Sequence, residues 1–69
     1  MLRKFEDGTQ TLSTPIYLDC AKVREVVAGS FLNGRPTSRV MYEDGTEFFV
    51  RGDIDDVAAE VNRGKEGKP

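Results

Sequence analysis

The residue types that most often carry enzyme chemistry are scarce in this chain of 69 residues. It has no histidine, so its one cysteine, Cys20, lacks the partner that would activate it as a thiolate nucleophile. A single cysteine also excludes an internal disulfide and a cysteine-based zinc site. Beside Asp19 and among apolar neighbours, Cys20 is predicted to be a small core residue. We therefore expect no enzyme activity.

Two groups of carboxylates could bind a cation or share a proton. They are Asp53, Asp55 and Asp56, and Glu43, Asp44 and Glu47. The first group lacks the glycine and the distal glutamate of an EF-hand loop, and aspartates are expected at a helix start because the helix dipole favours them there. No glycine-rich phosphate loop follows a strand. We expect no metal and no cofactor.

A basic cluster of Arg35, Arg39 and Arg51 could contact a nucleic-acid backbone. The alternative is that these arginines pair with glutamates across neighbouring strands. The net charge is −2 and the pI is near 5.0, and residues 36–69 carry eight acidic against five basic side chains. A nucleic-acid-binding protein needs a concentrated basic face, so we do not expect nucleic acid as the partner.

The chain contains two similar six-residue segments. Residues 5–10, FEDGTQ, nearly repeat as YEDGTE at residues 42–47. Asp-Gly between β-forming residues indicates a hairpin turn, and a helical pattern follows each phrase. We read two hairpin-plus-helix units and a pseudo-repeat of residues 3–28 and 40–63, with chance recurrence of Asp-Gly as the alternative.

The second hairpin is predicted over residues 37–43 and 46–51, which are rich in β-branched and aromatic residues. Two registers are open. A two-residue loop at Asp44-Gly45 pairs Met41 with Phe48. A three-residue loop that includes Thr46 pairs Tyr42 with Phe48.

The second register makes the better core because it gathers four large side chains on one face: Val40, Tyr42, Phe48 and Val50. Met41 and Phe49 then lie on the other face, flanked by charged residues, and that face is a candidate contact surface. The predicted interaction residues are Met41, Phe49, Arg39, Arg51 and Phe31.

A closing helix is predicted over residues 53–62, with an apolar stripe of Ile54, Val57, Ala58 and Val61. Gly52 or Asp53 supplies the N-cap, and Gly64 is expected to stop the helix. For residues 19–28 we favour a short helical turn followed by extended chain over a helix that ends at Gly29. Residues 29–37 are predicted to form a loop, and residues 63–69 a flexible tail.

These elements predict an α+β fold. A small antiparallel β-sheet built from two Asp-Gly hairpins packs against a C-terminal amphipathic helix and a short helical turn, in one domain over residues 1–62. No apolar run approaches the ~20 residues of a membrane span, so we expect no membrane contact and a cytoplasmic location. In a chain this small, burial of the core contributes little net free energy to folding. We therefore expect stability from a partner or from a second copy.

The spacing also resembles a known family. The pattern runs from Leu18-Asp19-x-x-x-Val23 through Tyr42-x-Asp44-Gly45-x-x-Phe48 to Ile54-x-x-Val57-x-x-x-Val61. It is similar to the FlbD-type family of short bacterial proteins associated with flagella and swarming, over most of residues 3–62. The resemblance implies a non-enzymatic accessory protein that binds a larger partner. It carries over no functional residue.

The sequence thus predicts a protein–protein interaction module of bacterial or phage origin, accessory or regulatory, that forms a homodimer through the face of Met41 and Phe49 or through an open strand edge. The first alternative is a small acidic inhibitor, of phage or antitoxin type, that occupies a basic site on a larger protein. The second is a nucleic-acid accessory domain.

Overall fold

A computed structural model of the chain describes residues 2–9 and 14–66. Five strands and one helix follow one another: β1 (Leu2–Glu6), β2 (Pro15–Asp19), β3 (Val23–Leu32), β4 (Arg35–Tyr42), β5 (Glu47–Arg51) and α1 (Ile54–Glu66). A 3₁₀ turn, Cys20–Lys22, joins β2 to β3. The predicted α+β class is confirmed, as is the short helical turn followed by extended chain.

The strands form two antiparallel sheets, one of β1 and β2 and one in the order β3-β4-β5. The sheets meet where Asp7 forms a bridge with Val50 and the Gly8 amide donates to the Phe49 carbonyl, 2.8 Å away. The Asp7-Gly8 pair is therefore not the tight hairpin turn that we predicted. The Asp7 amide donates to the Thr14 carbonyl, 2.8 Å away, and Asp7-Gly8 brings β1 against β5.

The second hairpin has neither of the two registers considered. Val40 is paired with Phe48 and Met41 with Glu47. The Tyr42 amide donates to the Thr46 carbonyl, so the three-residue loop is residues 43–45 and begins one residue earlier than expected. Because this register differs from the favoured one by an even number of residues, each strand keeps its faces.

A further hairpin replaces the loop predicted over residues 29–37. Asn33 and Gly34 have φ angles of 52° and 76°, the left-handed conformations of the tight turn that Asn-Gly favours between antiparallel strands. A β-bulge lies just before this turn, where Gly29 and Ser30 both oppose Thr37. The Thr37 hydroxyl donates to the Ser30 carbonyl within the bulge.

The core lies between the sheets and α1. Its buried members are Phe5, Leu18, Cys20, Val23, Val40, Val50, Val57 and Val61, with Ile16, Val26, Tyr42 and Phe48 packed against them. The Tyr42 and Phe48 rings lie 5.0 Å apart, and the Tyr42 hydroxyl accepts a hydrogen bond from the Asp19 amide at 2.8 Å. Tyr42 therefore ties β4 to the end of β2.

Helix α1 starts as predicted and ends later. The Asp53 carboxylate accepts from the Asp56 amide at 2.8 Å, so Asp53 is the N-cap. The helix continues to Glu66, so the predicted end at residue 62 was too early. Residues 63–66 of the predicted tail are helical, and residues 67–69 lie outside the described residues.

Gly64 does not stop the helix. It is buried inside α1, and a Cβ atom there would lie 2.4 Å from the Cys20 Sγ. Glycine is needed at this position because the helix and the 3₁₀ turn approach closely, whereas our prediction read it as a C-terminal cap.

An ion pair connects α1 to β1. The Arg3 Nε donates to the Glu60 carboxylate at 2.6 Å, and Arg63 donates to the same carboxylate at 2.8 Å. The hydrogen bond from Arg3, more than any other contact, holds the pKa of Glu60 below its ordinary value of 4.5.

We expect Glu60→Gln to lower the free energy of unfolding by about 1 kcal/mol at pH 7, because charged hydrogen bonds are lost from a pair that solvent partly screens. The depressed pKa means that the carboxylate stabilises the fold above pH 4.5 and loses this effect as the pH falls through the folded pKa. Urea unfolding at pH 7 and at about pH 3 measures this. The difference from the native chain should shrink at the lower pH, and an equal loss at both values would contradict the assignment. Glu43→Gln, in an exposed loop, is the control.

Candidate interaction surface

The three-stranded sheet has one face on the core and a second face that points away from it, which we call the outer face. Val40 is fully buried, so strand alternation places its neighbours Arg39 and Met41 on the outer face. The register sets Arg39 opposite Phe49 on β5 and opposite Val27 on β3. These residues therefore share the outer face across three strands.

Three of these side chains form an apolar strip, which consists of Val27, Met41 and Phe49. Phe49 is 37% exposed, and the other two are half-buried. Phe49 is the diagonal cross-strand neighbour of Met41, within reach of an aromatic ring and a long thioether chain. Helix α1 packs on the core face through Val57 and Val61, so it does not cover the strip.

Charged side chains of both signs surround the apolar strip. The Arg39 Nη1 lies 3.4 Å from the Glu47 carboxylate, and Glu25 is paired with Met41 on the far side. In the part of the chain that the structure describes, the Arg39 Nε is buried without a hydrogen-bond partner, as expected when the arginine stem lies along apolar neighbours. With Arg51, the surround holds two acidic and two basic groups, so its charge is balanced.

Four of the five predicted interaction residues thus lie on the outer face, and one does not. Arg51 belongs to it through its pairing with Thr37, and lies 3.8 Å from Glu6. Phe31 is 71% exposed beside the Asn33-Gly34 turn. Phe31 is paired with Pro36. Pro36 precedes Thr37 on β4, and because Thr37 lies on the outer face, Pro36 and its partner Phe31 lie on the opposite face. The structure does not bring Phe31 to the strip.

Two further candidates for chemistry, Asp53 and Cys20, have structural roles. Asp53 caps the helix, and among residues 2–9 and 14–66 no three cysteine or acidic side chains come close enough together to hold a metal ion. Cys20 is buried as predicted, and its burial raises the pKa of the thiol. A protonated, inaccessible thiol is a poor nucleophile.

Sequence reasoning missed one member of the strip. Val27 was assigned to extended chain without a face. Residues 23–28, VREVVA, have no strict alternation of apolar and polar types, so the face of Val27 follows only from its pairing with Arg39. Other exposed apolar residues stand apart from the strip: Leu2 and Tyr17 on the two-stranded sheet and Ile54 at the start of α1.

Comparisons of the chain with protein-family models, with curated proteins and with solved structures find no match. The resemblance to the FlbD-type family accordingly stays a prediction. Within the described residues, no helix has the length and apolar character needed to cross a membrane.

Proposed function

We propose that this protein is a non-enzymatic interaction module, accessory or regulatory, that self-associates through its outer face in the cytoplasm and so presents a paired surface to a larger protein partner. The observation that supports this most is the apolar strip. Phe49, Met41 and Val27 lie together on a sheet face that α1 does not cover.

Burial of the apolar strip would give a free-energy gain that is large relative to the stability of so small a domain. Complete burial of a large apolar side chain is worth ~1.5–3 kcal/mol, and the half-buried Met41 and Val27 would contribute less than that. Domains are stable by only ~5–15 kcal/mol in total. Covering the strip would therefore add a substantial fraction to the stability of the fold.

The charge surround favours a second copy as the occupant. A strongly acidic or basic partner would meet like charges, since Arg39 and Arg51 stand beside Glu25 and Glu47 on one surface. A two-fold arrangement brings the same patch to itself, and a balanced patch can then match each charge with an opposite one. A standard interface covers ~800 Å² on each partner, about a fifth of the accessible surface of 4494 Å². The strip is smaller than that, so we expect a weak, reversible dimer.

We expect Phe49→Ser to abolish the dimer and leave the monomer folded, because Phe49 is the most exposed member of the strip. Sedimentation velocity between about 10 µM and 1 mM spans the range of a weak association. Ile54→Ser is the matched control, since Ile54 is 39% exposed but lies on α1. It should dimerise like the native chain.

A native chain that stays monomeric at the highest concentration, with Phe49→Ser altering neither its mass nor its stability, would contradict the proposal. Equal losses of dimer in Phe49→Ser and Ile54→Ser would also contradict it, because the outer face would then have no special part.

A second candidate function has its own support in the exposed aspartates around the start of α1, Asp53, Asp55 and Asp56. This acidic patch would suit an inhibitor that occupies a basic site on a larger protein. The two functions differ in their response to salt. Docking through the aspartates should weaken steeply as ionic strength rises, whereas association through the apolar strip should not.

A further inference from the structure

A second feature lies beside the strip, at the end of the outer face near the Asn33-Gly34 turn. It is a cleft of about 320 Å³, lined by Leu32, Asn33, Arg35, Thr37 and Arg51. Its size falls at the lower end of the ~300–1,000 Å³ typical of small-molecule sites. Arginine, asparagine and threonine supply most of the wall, and Leu32 supplies an apolar side.

The strand register brings the two arginines together. Arg51 is paired with Thr37, and Arg35 lies two residues before Thr37 on the same strand and therefore on the same face. The Gly52 amide donates to the Pro36 carbonyl at 3.1 Å, which continues the β4–β5 contact past Arg51. Arg35 and Arg51 are thus diagonal neighbours across two rigid strands.

The two arginines differ in their ion pairing, since Arg51 interacts with both Glu6 and Asp7. The Arg35 side chain is exposed and makes no ion pair or hydrogen bond with any described residue. Glu6 lies 3.8 Å from Arg51, on the side of an adjoining cleft that both arginines also line. An anion placed between the two guanidinium groups would meet two positively charged donors.

We propose that this cleft binds the phosphoryl group of a small phosphorylated molecule. One guanidinium can satisfy both oxygens of a carboxylate. Two guanidinium groups match the three terminal oxygens and the charge of about −1.5 to −2 of a phosphate monoester. The Asn33 amide and Leu32 remain to contact the organic part. The cleft shares Arg51 with the charged surround of the strip, but neither Phe49 nor Met41 lines it, so Phe49→Ser allows phosphate binding to be measured without self-association.

The test is a titration followed by the Nε–Hε signals of the arginine side chains in ¹H–¹⁵N NMR spectra. The probes are inorganic phosphate, O-phosphoserine and acetate at matched ionic strength, each added to the native chain and to Phe49→Ser. We expect Arg35 and Arg51 to shift with both phosphates in both chains, with an affinity in Phe49→Ser at least equal to that of the native chain, because a second copy would compete for Arg51. Binding of O-phosphoserine should tighten between about pH 5.5 and pH 7.5, because the second proton of a phosphate monoester is lost near pH 6.

We expect Arg35→Gln to weaken phosphate binding about tenfold or more. Arg24→Gln makes the same charge change on an exposed side chain near the start of β3, and should leave binding within about twofold. Phosphate that shifts neither Arg35 nor Arg51, or acetate that binds as tightly as phosphate, would overturn the proposal. An equal loss of phosphate affinity in Arg35→Gln and Arg24→Gln would also overturn it. Tighter binding of a random DNA duplex than of O-phosphoserine, lost in Arg35→Gln, would replace the small molecule with a nucleic-acid backbone.

Discussion

Gly64→Ala is expected to destabilise the protein by about 2 kcal/mol, although alanine is the better helix former by ~1 kcal/mol. A Cβ atom at this position would lie 2.4 Å from the Sγ of Cys20 and 2.7 Å from its Cβ. Cys20 is fully buried, so it has no open space into which to move. The helix must instead shift away from the 3₁₀ turn, which opens the core.

Urea unfolding of Gly64→Ala measures this loss, and Asn62→Ala is the control because Asn62 is exposed on the same helix. The control should be neutral or slightly stabilising. In a Cys20→Ala background the nearer atom is gone, so adding Gly64→Ala should cost less than it does in the native chain. A stabilising Gly64→Ala would show that the helix does not approach the turn this closely.

Leu18→Ala is expected to cost about 3 kcal/mol, within the range of 2–5 kcal/mol for burial sites of this kind. Leu18 is 1% exposed on the core face of β2, so its truncation leaves a cavity among Phe5, Cys20 and their neighbours. In a domain of this size such a loss could leave a measurable fraction of the chain unfolded.

Tyr17→Ala gives the matched comparison, since Tyr17 is adjacent in sequence but 60% exposed. Its effect should be small, about 0.5 kcal/mol or less. Thermal unfolding by circular dichroism separates the two variants. Equal shifts for both would contradict the assignment of Tyr17 and Leu18 to opposite faces of β2.

Local signals predicted part of this fold. The apolar stripe and the capping aspartate of α1 lie within one segment, and Val57 and Val61 are buried as their spacing predicted. The faces of β4 and β5 were also correct, although the register was not. Strand alternation depends only on whether the register is odd or even, while the pairing depends on where the loop begins.

The errors arose where a residue serves a distant contact. Gly8 was read as the glycine of a tight hairpin turn; it does lie in a turn, but that turn sets it against the backbone of Val50. Gly64 was read as a cap, but it makes room for Cys20. Neither contact has a local signature in the sequence. The Asn33-Gly34 pair did carry a local signal, because Asn-Gly is the strongest sequence indication of a tight hairpin. We nevertheless predicted a loop over these residues.

The outer face was predicted correctly for Met41 and Phe49 and wrongly for Phe31. Met41 and Phe49 follow simple alternation, so their common face was predictable. Phe31 would share that face with Val27 if β3 were regular. The bulge at Gly29 and Ser30 adds one residue and reverses the alternation beyond it, and Gly29, a residue type that often marks a bulge, was assigned to the predicted loop.

The most direct test of self-association through the outer face is an isotope-filtered NOE experiment on a mixture of labelled and unlabelled chains at about 1 mM, a concentration at which weak dimers form. We predict NOEs between the Phe49 ring of one copy and the Met41 methyl group of the other. A chain that sediments as a monomer at this concentration, and that shows no NOE between copies at either residue, would contradict the account.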